Sequence, residues 1–128
     1  MSQPSLQTPR ARVNFRGSAR SGTLHAWRLR LTAFALLPLT FAFVVIVVSL
    51  VGRDYESARA LLGSPCPAIL MVLFLGFGAW HMAIGMQAVI EDYVHSEHAK
   101  ALALMANFSF SALIGVASIF AVLRLSFT

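Results

Sequence analysis

Three long apolar stretches dominate the pattern of hydrophobic and polar positions along this chain. They cover residues 31–51, 68–90 and 101–123, and none of them contains Asp, Glu, Lys or Arg. A helix needs about 20 residues to cross the hydrocarbon core of a bilayer, so each stretch predicts one membrane-spanning helix. The fold class predicted from this pattern is an all-α membrane protein with three transmembrane helices.

The composition supports a membrane location. Hydrophobic residues make up 58% of the 128 positions and charged residues only 12%, with a mean hydropathy of +0.74. A soluble domain of this length needs far more polar surface. The single cysteine, Cys66, excludes both a disulfide within the chain and a cluster of thiolate metal ligands.

The polar residues before the first apolar stretch divide into two parts. Residues 1–20 are rich in Arg and Ser and have no apolar period, which predicts a flexible basic tail. Residues 21–128 form the predicted membrane domain, and its first ten residues are typical of an interfacial segment. Trp27 suits the lipid headgroup region, and Arg28 and Arg30 can reach phosphates of membrane lipids.

The net charge of +5 indicates orientation in a membrane and not binding to nucleic acid. Basic residues concentrated before a first span favour a cytoplasmic N-terminus, in a multi-pass protein of the bacterial inner (cytoplasmic) membrane. An acid-free, Arg-rich N-terminus is also typical of mitochondrial transit peptides, so the mitochondrial inner membrane stays open. Six of the ten basic residues contribute to this signal: Arg10, Arg12, Arg16, Arg20, Arg28 and Arg30.

Residues 52–67, between the first two spans, are predicted to form a loop on the outer side of the membrane. Gly52, Gly63, Pro65 and Pro67 supply turn-forming residues there. Three helices make a poor pore or transporter by themselves, but they can form part of a larger bundle. Small residues along the second span favour close helix contacts: Gly76, Gly78, Ala79, Ala83, Gly85 and Ala88.

His81 is the one histidine within a predicted span. An ionisable side chain at membrane depth is costly and usually has a functional partner, and neutral imidazole is a good ligand for haem iron. Gly85 lies one helical turn further on the same face, which leaves a gap that suits a flat porphyrin. A simple hydrogen bond from His81 to a neighbouring helix is an equally acceptable interpretation.

Asp92 and Tyr93 close the second span. At about 100° and 1.5 Å per residue, Asp92 lies about 20° from the face of His81 and about 16 Å further along the helix. A phenol at the membrane boundary can hydrogen-bond a partly buried molecule. Ordinary anchoring at the interface is the alternative for this pair.

One segment resembles a known family. The string His81-Met-Ala-Ile-Gly85-Met-Gln, followed by Asp92-Tyr93, resembles the second-helix signature of the hydrophobic membrane anchor subunits of succinate dehydrogenase, respiratory complex II. A second patch, Ser21-Gly-Thr with His25, Trp27 and Arg30-Leu-Thr-Ala, is similar to that family's lead into its first helix. The resemblance covers residues 17–123.

The resemblance implies roles for individual residues. His81 would be one axial ligand of a haem b, and the second ligand would come from the cytochrome b556 membrane subunit. Gly85 would give the haem clearance, and Arg30, with His25 as a further candidate, would contact its propionates. Tyr93 and Asp92 would form part of a ubiquinone site.

The resemblance also implies that this chain is half of a heterodimeric membrane anchor that carries the iron–sulfur and flavoprotein subunits. Together they would transfer electrons from succinate to ubiquinone, in the tricarboxylic acid cycle and the respiratory chain. This chain alone would not be catalytic, since it has no Gly-rich dinucleotide turn and no cysteine cluster. A non-catalytic scaffold or assembly protein, and a fumarate reductase anchor that uses menaquinone, stay open as alternatives.

Overall fold

The computed structural model describes residues 21–127. Four helices follow one another: α1 (Ser21–Leu50), α2 (Tyr55–Gly63), α3 (Pro65–Tyr93) and α4 (Glu97–Phe127). All regular structure within residues 21–127 is helical, which confirms the predicted fold class. The predicted flexible tail at residues 1–20 lies outside the described residues.

The helices α1, α3 and α4 are the three predicted spans, and each is long and apolar enough to cross a membrane. All three are longer than the apolar stretches that predicted them, because the polar residues at their ends continue the helix. The 30 residues of α1 extend over about 45 Å, against about 30 Å of hydrocarbon. Its first turns therefore reach beyond the apolar core. The helix also continues through Pro38.

Helix α3 is the centre of the bundle, because it packs against α1 on one side and α4 on the other. Between α1 and α3, the rings of Phe43 and Phe74 stack with centroids 4.5 Å apart. Between α3 and α4, a Cβ added to Gly115 would lie 3.0 Å from the Cβ of Ala79. The absence of a side chain at Gly115 thus lets the two backbones approach closely.

The bundle leaves much apolar surface uncovered. Among the described residues, only five hydrophobic side chains are buried: Ile46, Ala68, Ile84, Ile90 and Val122. Large side chains such as Phe34, at 76% exposure, and Phe108, at 71%, lie on the outside. In a membrane, lipid or other subunits cover such surfaces, so the three-helix unit does not need a large core of its own.

The prediction that residues 52–67 form only a loop is wrong, because they contain the nine-residue helix α2. The turn residues do act where expected: Gly52 has a φ of +78°, and Pro65 begins α3. Between these turns, however, Glu56, Ala58 and Leu61 belong to residue types that form helices well. Helix α2 folds back onto the end of α4, where a Cβ on Gly63 would lie 2.6 Å from the carbonyl oxygen of Leu125.

The start of α2 carries a local charge interaction. The Ser57 hydroxyl donates a hydrogen bond to the Asp54 carboxylate. This bond lowers the pKa of Asp54, because it stabilises the charged form of the carboxyl group.

At the other end of the bundle, only residues 94–96 separate α3 from α4.

Candidate functional site

His81 of α3 is joined to α1 through Thr32. The His81 Nδ1 atom lies 2.8 Å from the Thr32 hydroxyl oxygen, Oγ1. Thr32 is 1% exposed and is the most completely buried large side chain among the described residues. Its Oγ1 also lies 3.0 Å from the carbonyl oxygens of Arg28 and Leu29, one turn earlier in α1.

This contact sets the level of the His81 ring in the bundle. Thr32 is only one residue inside the predicted first span, whereas His81 is nine residues, or about 14 Å, from the predicted end of the second. The two helices are therefore staggered, because His81 lies near the middle of its predicted span and its partner Thr32 lies near the start of its own. The ring lies close to the level at which the polar first part of α1, residues 21–30, ends.

The second ring nitrogen of His81, Nε2, is not fully buried. It makes no hydrogen bond within residues 21–127. It is also not one of the buried unpartnered atoms of this part of the chain. A nitrogen that is reachable from outside, on a ring fixed through its other nitrogen, has the arrangement that metal-ligating histidines use.

One side of α3 is covered by neither α1 nor α4. This open face of α3 consists of Gly78, Met82, Gly85 and Met86. A Cβ added at Gly78 or Gly85 would meet nothing within 4 Å, and Met82 and Met86 are 37% and 47% exposed. The predicted gap at Gly85 thus corresponds to free space on the face that also carries His81. A planar group such as a porphyrin fits such a surface.

A cavity of about 350 Å³ lies between the start of α1 and the end of α3. We call this region, formed by residues 21–30 and 84–93, the polar end of the bundle. His25 lines the cavity, and its Nε2 atom is buried without a hydrogen-bond partner. On the α3 side of the cavity, opposite His25, Gln87 donates a hydrogen bond of 2.7 Å to Glu91. A buried imidazole nitrogen without a partner can receive a polar or anionic group from outside the chain.

The structure brings together only some of the predicted site residues. Arg30 is exposed and does not line the cavity, whereas Arg28 does. Tyr93, at 77% exposure, ends α3, and the neighbouring Asp92 is also exposed. Within residues 21–127 neither side chain makes a hydrogen bond. Both are therefore free to contact a molecule or subunit outside the chain.

Two residues of this site were not predicted from the sequence, Thr32 and Asn107. Thr32 lies in a segment already quoted for its resemblance, but nothing in the pattern pairs it with His81. Asn107 of α4 donates a hydrogen bond to the carbonyl oxygen of Ala83, 2.9 Å away in α3. A lone polar amide within an apolar stretch was a usable signal, since such side chains often join helices in membranes.

Comparison with known proteins gives consistent results. The sequence model of the family described as succinate dehydrogenase/fumarate reductase transmembrane subunit matches residues 4–120. A succinate dehydrogenase hydrophobic membrane anchor subunit from Paracoccus denitrificans is 33% identical over 118 residues, which cover 92% of this chain and 91% of the relative. No solved structure matches the chain significantly.

A second relative is more distant. It is a succinate dehydrogenase membrane anchor subunit from Reclinomonas americana. It is 26% identical over 98 residues, which cover 66% of this chain and 73% of the relative.

Proposed function

The chain belongs to the succinate dehydrogenase/fumarate reductase transmembrane subunit family, and on that basis we propose that it is the membrane anchor subunit of a succinate:ubiquinone oxidoreductase. In this role it supplies one axial ligand of a haem b and part of the site where ubiquinone is reduced. The observation that carries the proposal is the His81 ring, fixed at Nδ1 by Thr32 and accessible at Nε2.

His81 suits the haem because its neighbourhood leaves room for a flat group. Gly85 follows one turn later on the same face and has free space where a side chain would stand. A haem bound there would carry single electrons. Since no second histidine lies within α1, α3 or α4 at that level, the other axial ligand comes from a partner membrane subunit, the cytochrome b556 chain.

The polar end of the bundle offers groups for the haem propionates. The buried Nε2 atom of His25 lacks a partner, and Arg28 lines the same cavity. Arg30 is exposed two residues before Thr32, so its guanidinium also begins close to the level of His81. A propionate carboxylate would give His25 a hydrogen-bond acceptor and would be attracted by either arginine.

The quinone site is proposed at the end of α3. Reduction of ubiquinone to ubiquinol takes two electrons and two protons, and the protons must come from water. Tyr93 lies at the boundary of the span, exposed and without a hydrogen bond in the described chain. Its hydroxyl can donate to a quinone carbonyl oxygen, while the Asp92 carboxylate beside it can accept from a water or a neighbouring donor.

The remaining parts of the reaction belong to other subunits. The flavoprotein oxidises succinate, and the iron–sulfur subunit passes the electrons to the membrane. In the proposed orientation the polar end faces the cytoplasm or the mitochondrial matrix, because the sequence concentrates its arginines before the first span and basic residues favour that side. The open face of α3 is then the place where the second membrane subunit docks.

A second candidate is a non-catalytic scaffold or assembly subunit of the same family. The bond between His81 and Thr32 favours this candidate. In a scaffold, the only role of the histidine is to hydrogen-bond a neighbouring helix. In that case nothing binds Nε2. The two candidates therefore differ in what happens to His81 once the partner subunits are present.

The experiment is a spectrum of the purified complex. The native complex is extracted in mild detergent, its subunits are identified by mass spectrometry, and the reduced-minus-oxidised spectrum is recorded. We expect a b-type haem in the wild type, and its loss or a changed ligand spectrum in His81→Ala. The control is His98→Ala, a change at an exposed histidine of α4, which should keep the haem.

The outcome that contradicts the proposal is equally clear. If the His81→Ala complex assembles and keeps a normal haem spectrum, His81 is not a ligand and the scaffold interpretation holds. A partner list without a flavoprotein and an iron–sulfur protein would remove the anchor function itself.

A further inference from the structure

We propose that Thr32 is a positioning residue, which holds the His81 imidazole in the form protonated at Nδ1 and so presents the lone pair of Nε2 to a metal. The inference rests on the proposed function, because it concerns the ligand which that function assigns. Thr32 does not itself contact the metal.

The Thr32 hydroxyl has a single proton to donate. Oγ1 has three polar neighbours: the carbonyl oxygens of Arg28 and Leu29, each at 3.0 Å, and the His81 Nδ1 atom at 2.8 Å. A carbonyl oxygen can only accept a hydrogen bond, whereas an imidazole nitrogen either donates or accepts, depending on the tautomer.

Only one assignment of protons satisfies all of these contacts. If the hydroxyl shares its one proton between the two carbonyl oxygens of the preceding turn, as threonine in a helix commonly bonds backward, its oxygen is free to accept from Nδ1–H. If it donates to Nδ1 instead, two carbonyl oxygens lie 3.0 Å from an oxygen with no proton to give them. The first assignment places the ring proton on Nδ1 and leaves Nε2 without one.

Burial strengthens this choice. Thr32 is 1% exposed, so water cannot replace any of its three contacts. The threonine β-carbon is also branched, and its χ1 angle is restricted within a helix. The position of Oγ1 is therefore fixed before any ligand arrives, and its bond to Nδ1 restricts the rotation of the imidazole ring.

The consequence for the proposed haem is a change in the balance between its oxidation states. A hydrogen bond from Nδ1–H makes the opposite nitrogen a better electron donor, and such outer contacts are typically worth 10- to 100-fold in metal affinity or activity. A stronger donor favours ferric over ferrous iron. Loss of the bond should thus raise the midpoint potential of the haem. A tenfold change in the ratio between the affinities of the histidine for ferric and for ferrous iron corresponds to about 59 mV for one electron.

The test compares three variants in the assembled, purified complex. Thr32→Val keeps the shape of the side chain but removes the hydroxyl, and Thr32→Ser restores a hydroxyl without the methyl group. The matched control is Thr40→Val, the same change at an exposed position of α1. Haem content per flavin, the midpoint potential and the melting temperature are measured for each.

We expect Thr32→Val to raise the midpoint potential, by about 59 mV if the ratio of the ferric and ferrous affinities changes tenfold. The potentials of Thr32→Ser and Thr40→Val should stay close to that of the wild type. A Thr32→Val complex that melts normally but contains no haem also supports the proposal, provided that Thr32→Ser contains it. An unchanged potential in haem-loaded Thr32→Val overturns the proposal. Loss of haem together with a lowered melting temperature also counts against it, because the role is then structural.

This failure is distinguishable from that of the proposed function. If the wild-type complex has no haem, or if His81→Ala keeps a normal one, the haem-ligand part of the proposed function fails whatever Thr32 does. If His81→Ala removes the haem but Thr32→Val changes nothing, the ligand stands and only the positioning role is lost.

Discussion

The side-chain amide of Asn107 in α4 donates a hydrogen bond to the backbone carbonyl oxygen of Ala83 in α3, over 2.9 Å. Ala83 is two residues from His81, so this bond ties the α4 side of α3 close to the level at which Thr32 ties the α1 side. The central helix is thus held by one polar contact on each flank. In an apolar medium such contacts fix the register of helices that dispersion forces alone would leave free to slide.

The first prediction concerns this bond. Asn107→Ala should lower the stability of the assembled complex by about 0.6 kcal/mol, and by about 1.7 kcal/mol at most, which is the measured range for hydrogen bonds between membrane helices. The measurement is the midpoint of thermal unfolding in detergent. Ser109→Ala, at an exposed position of the same helix, should leave the midpoint unchanged. Equal effects in both variants would show that the amide does not join the helices.

The second prediction concerns the contact between α2 and the end of α4. A Cβ on Gly63 would lie 2.6 Å from the carbonyl oxygen of Leu125, which is backbone and cannot rotate away. Gly63→Ala must therefore move α2, at a cost of about 1–3 kcal/mol for an overpacked contact. Gly22→Ala is the control, since a Cβ there meets nothing within 4 Å.

The result should appear in thermal unfolding and also in limited proteolysis. If α2 is displaced, cleavage in residues 52–64 becomes faster in Gly63→Ala than in Gly22→Ala. A Gly63→Ala complex with normal stability and normal cleavage would mean that α2 does not lie against α4 as described.

The spans were predictable because an uncharged apolar stretch of about 20 residues is sufficient to identify a membrane helix. This signal lies within each stretch and does not depend on contacts between helices. Helix α2 was not predicted because Gly52 and Pro65, which flank it, are typical of turns, and nine residues are too few to give a clear helical period. The helix boundaries were also set too narrowly. Polar residues such as those at 21–30 continue a helix once its nucleus exists, since adding each residue is favourable after nucleation.

The candidate site was predictable in part. His81 was identified because an ionisable group in an apolar stretch is conspicuous in the sequence itself. Its contact with Thr32 could not be found in this way. The register between two helices depends on how their side chains interlock, and the helical period of neither sequence determines it. Arg28, rather than the predicted Arg30, lines the cavity with His25, because residues three apart lie on one face of a helix and residues five apart do not. The predicted roles of the site residues all stay predictions: His81, Gly85, Arg30, His25, Asp92 and Tyr93.

The third prediction separates the packing of the chain from the binding of its proposed cofactor. A Cβ on Gly85 meets nothing within 4 Å in the three-helix unit, so Gly85→Leu should not disturb α1 or α4. It does place a side chain in the space next to His81. We expect the Gly85→Leu complex to assemble but to contain less haem per flavin, and Gly85→Ala to show a smaller loss.

The control for this prediction is Ala117→Leu, which adds the same bulk at an exposed small residue of α4. It should keep the haem content of the wild type. Full haem content in Gly85→Leu would mean that the proposed porphyrin does not lie against this face of α3. Loss of haem in Ala117→Leu as well would show that added bulk acts through assembly and not through the site.

The last prediction concerns the end of α3, where the two tyrosines of the chain provide a matched pair. Tyr93 is 77% exposed and Tyr55, at the start of α2, is 72% exposed, but they lie at opposite ends of the bundle. If the Tyr93 hydroxyl donates to a quinone carbonyl oxygen, Tyr93→Phe should weaken quinone binding and reduction about 2- to 10-fold, as expected for one hydrogen bond between neutral groups. Neither change should alter stability by more than about 0.5 kcal/mol, since both side chains are on the surface.

Two assays of the same preparation locate the effect. Ubiquinone reduction by succinate should fall in Tyr93→Phe, mainly through a higher KM for quinone, and should stay normal in Tyr55→Phe. Reduction of an artificial acceptor that takes electrons before the membrane subunits should be normal in both, because the flavoprotein is untouched. A Tyr93→Phe complex with normal quinone kinetics would remove Tyr93 from the site. An equal loss in both assays would instead indicate that α3 ends at a surface where the soluble subunits dock, and that Tyr93 holds them there.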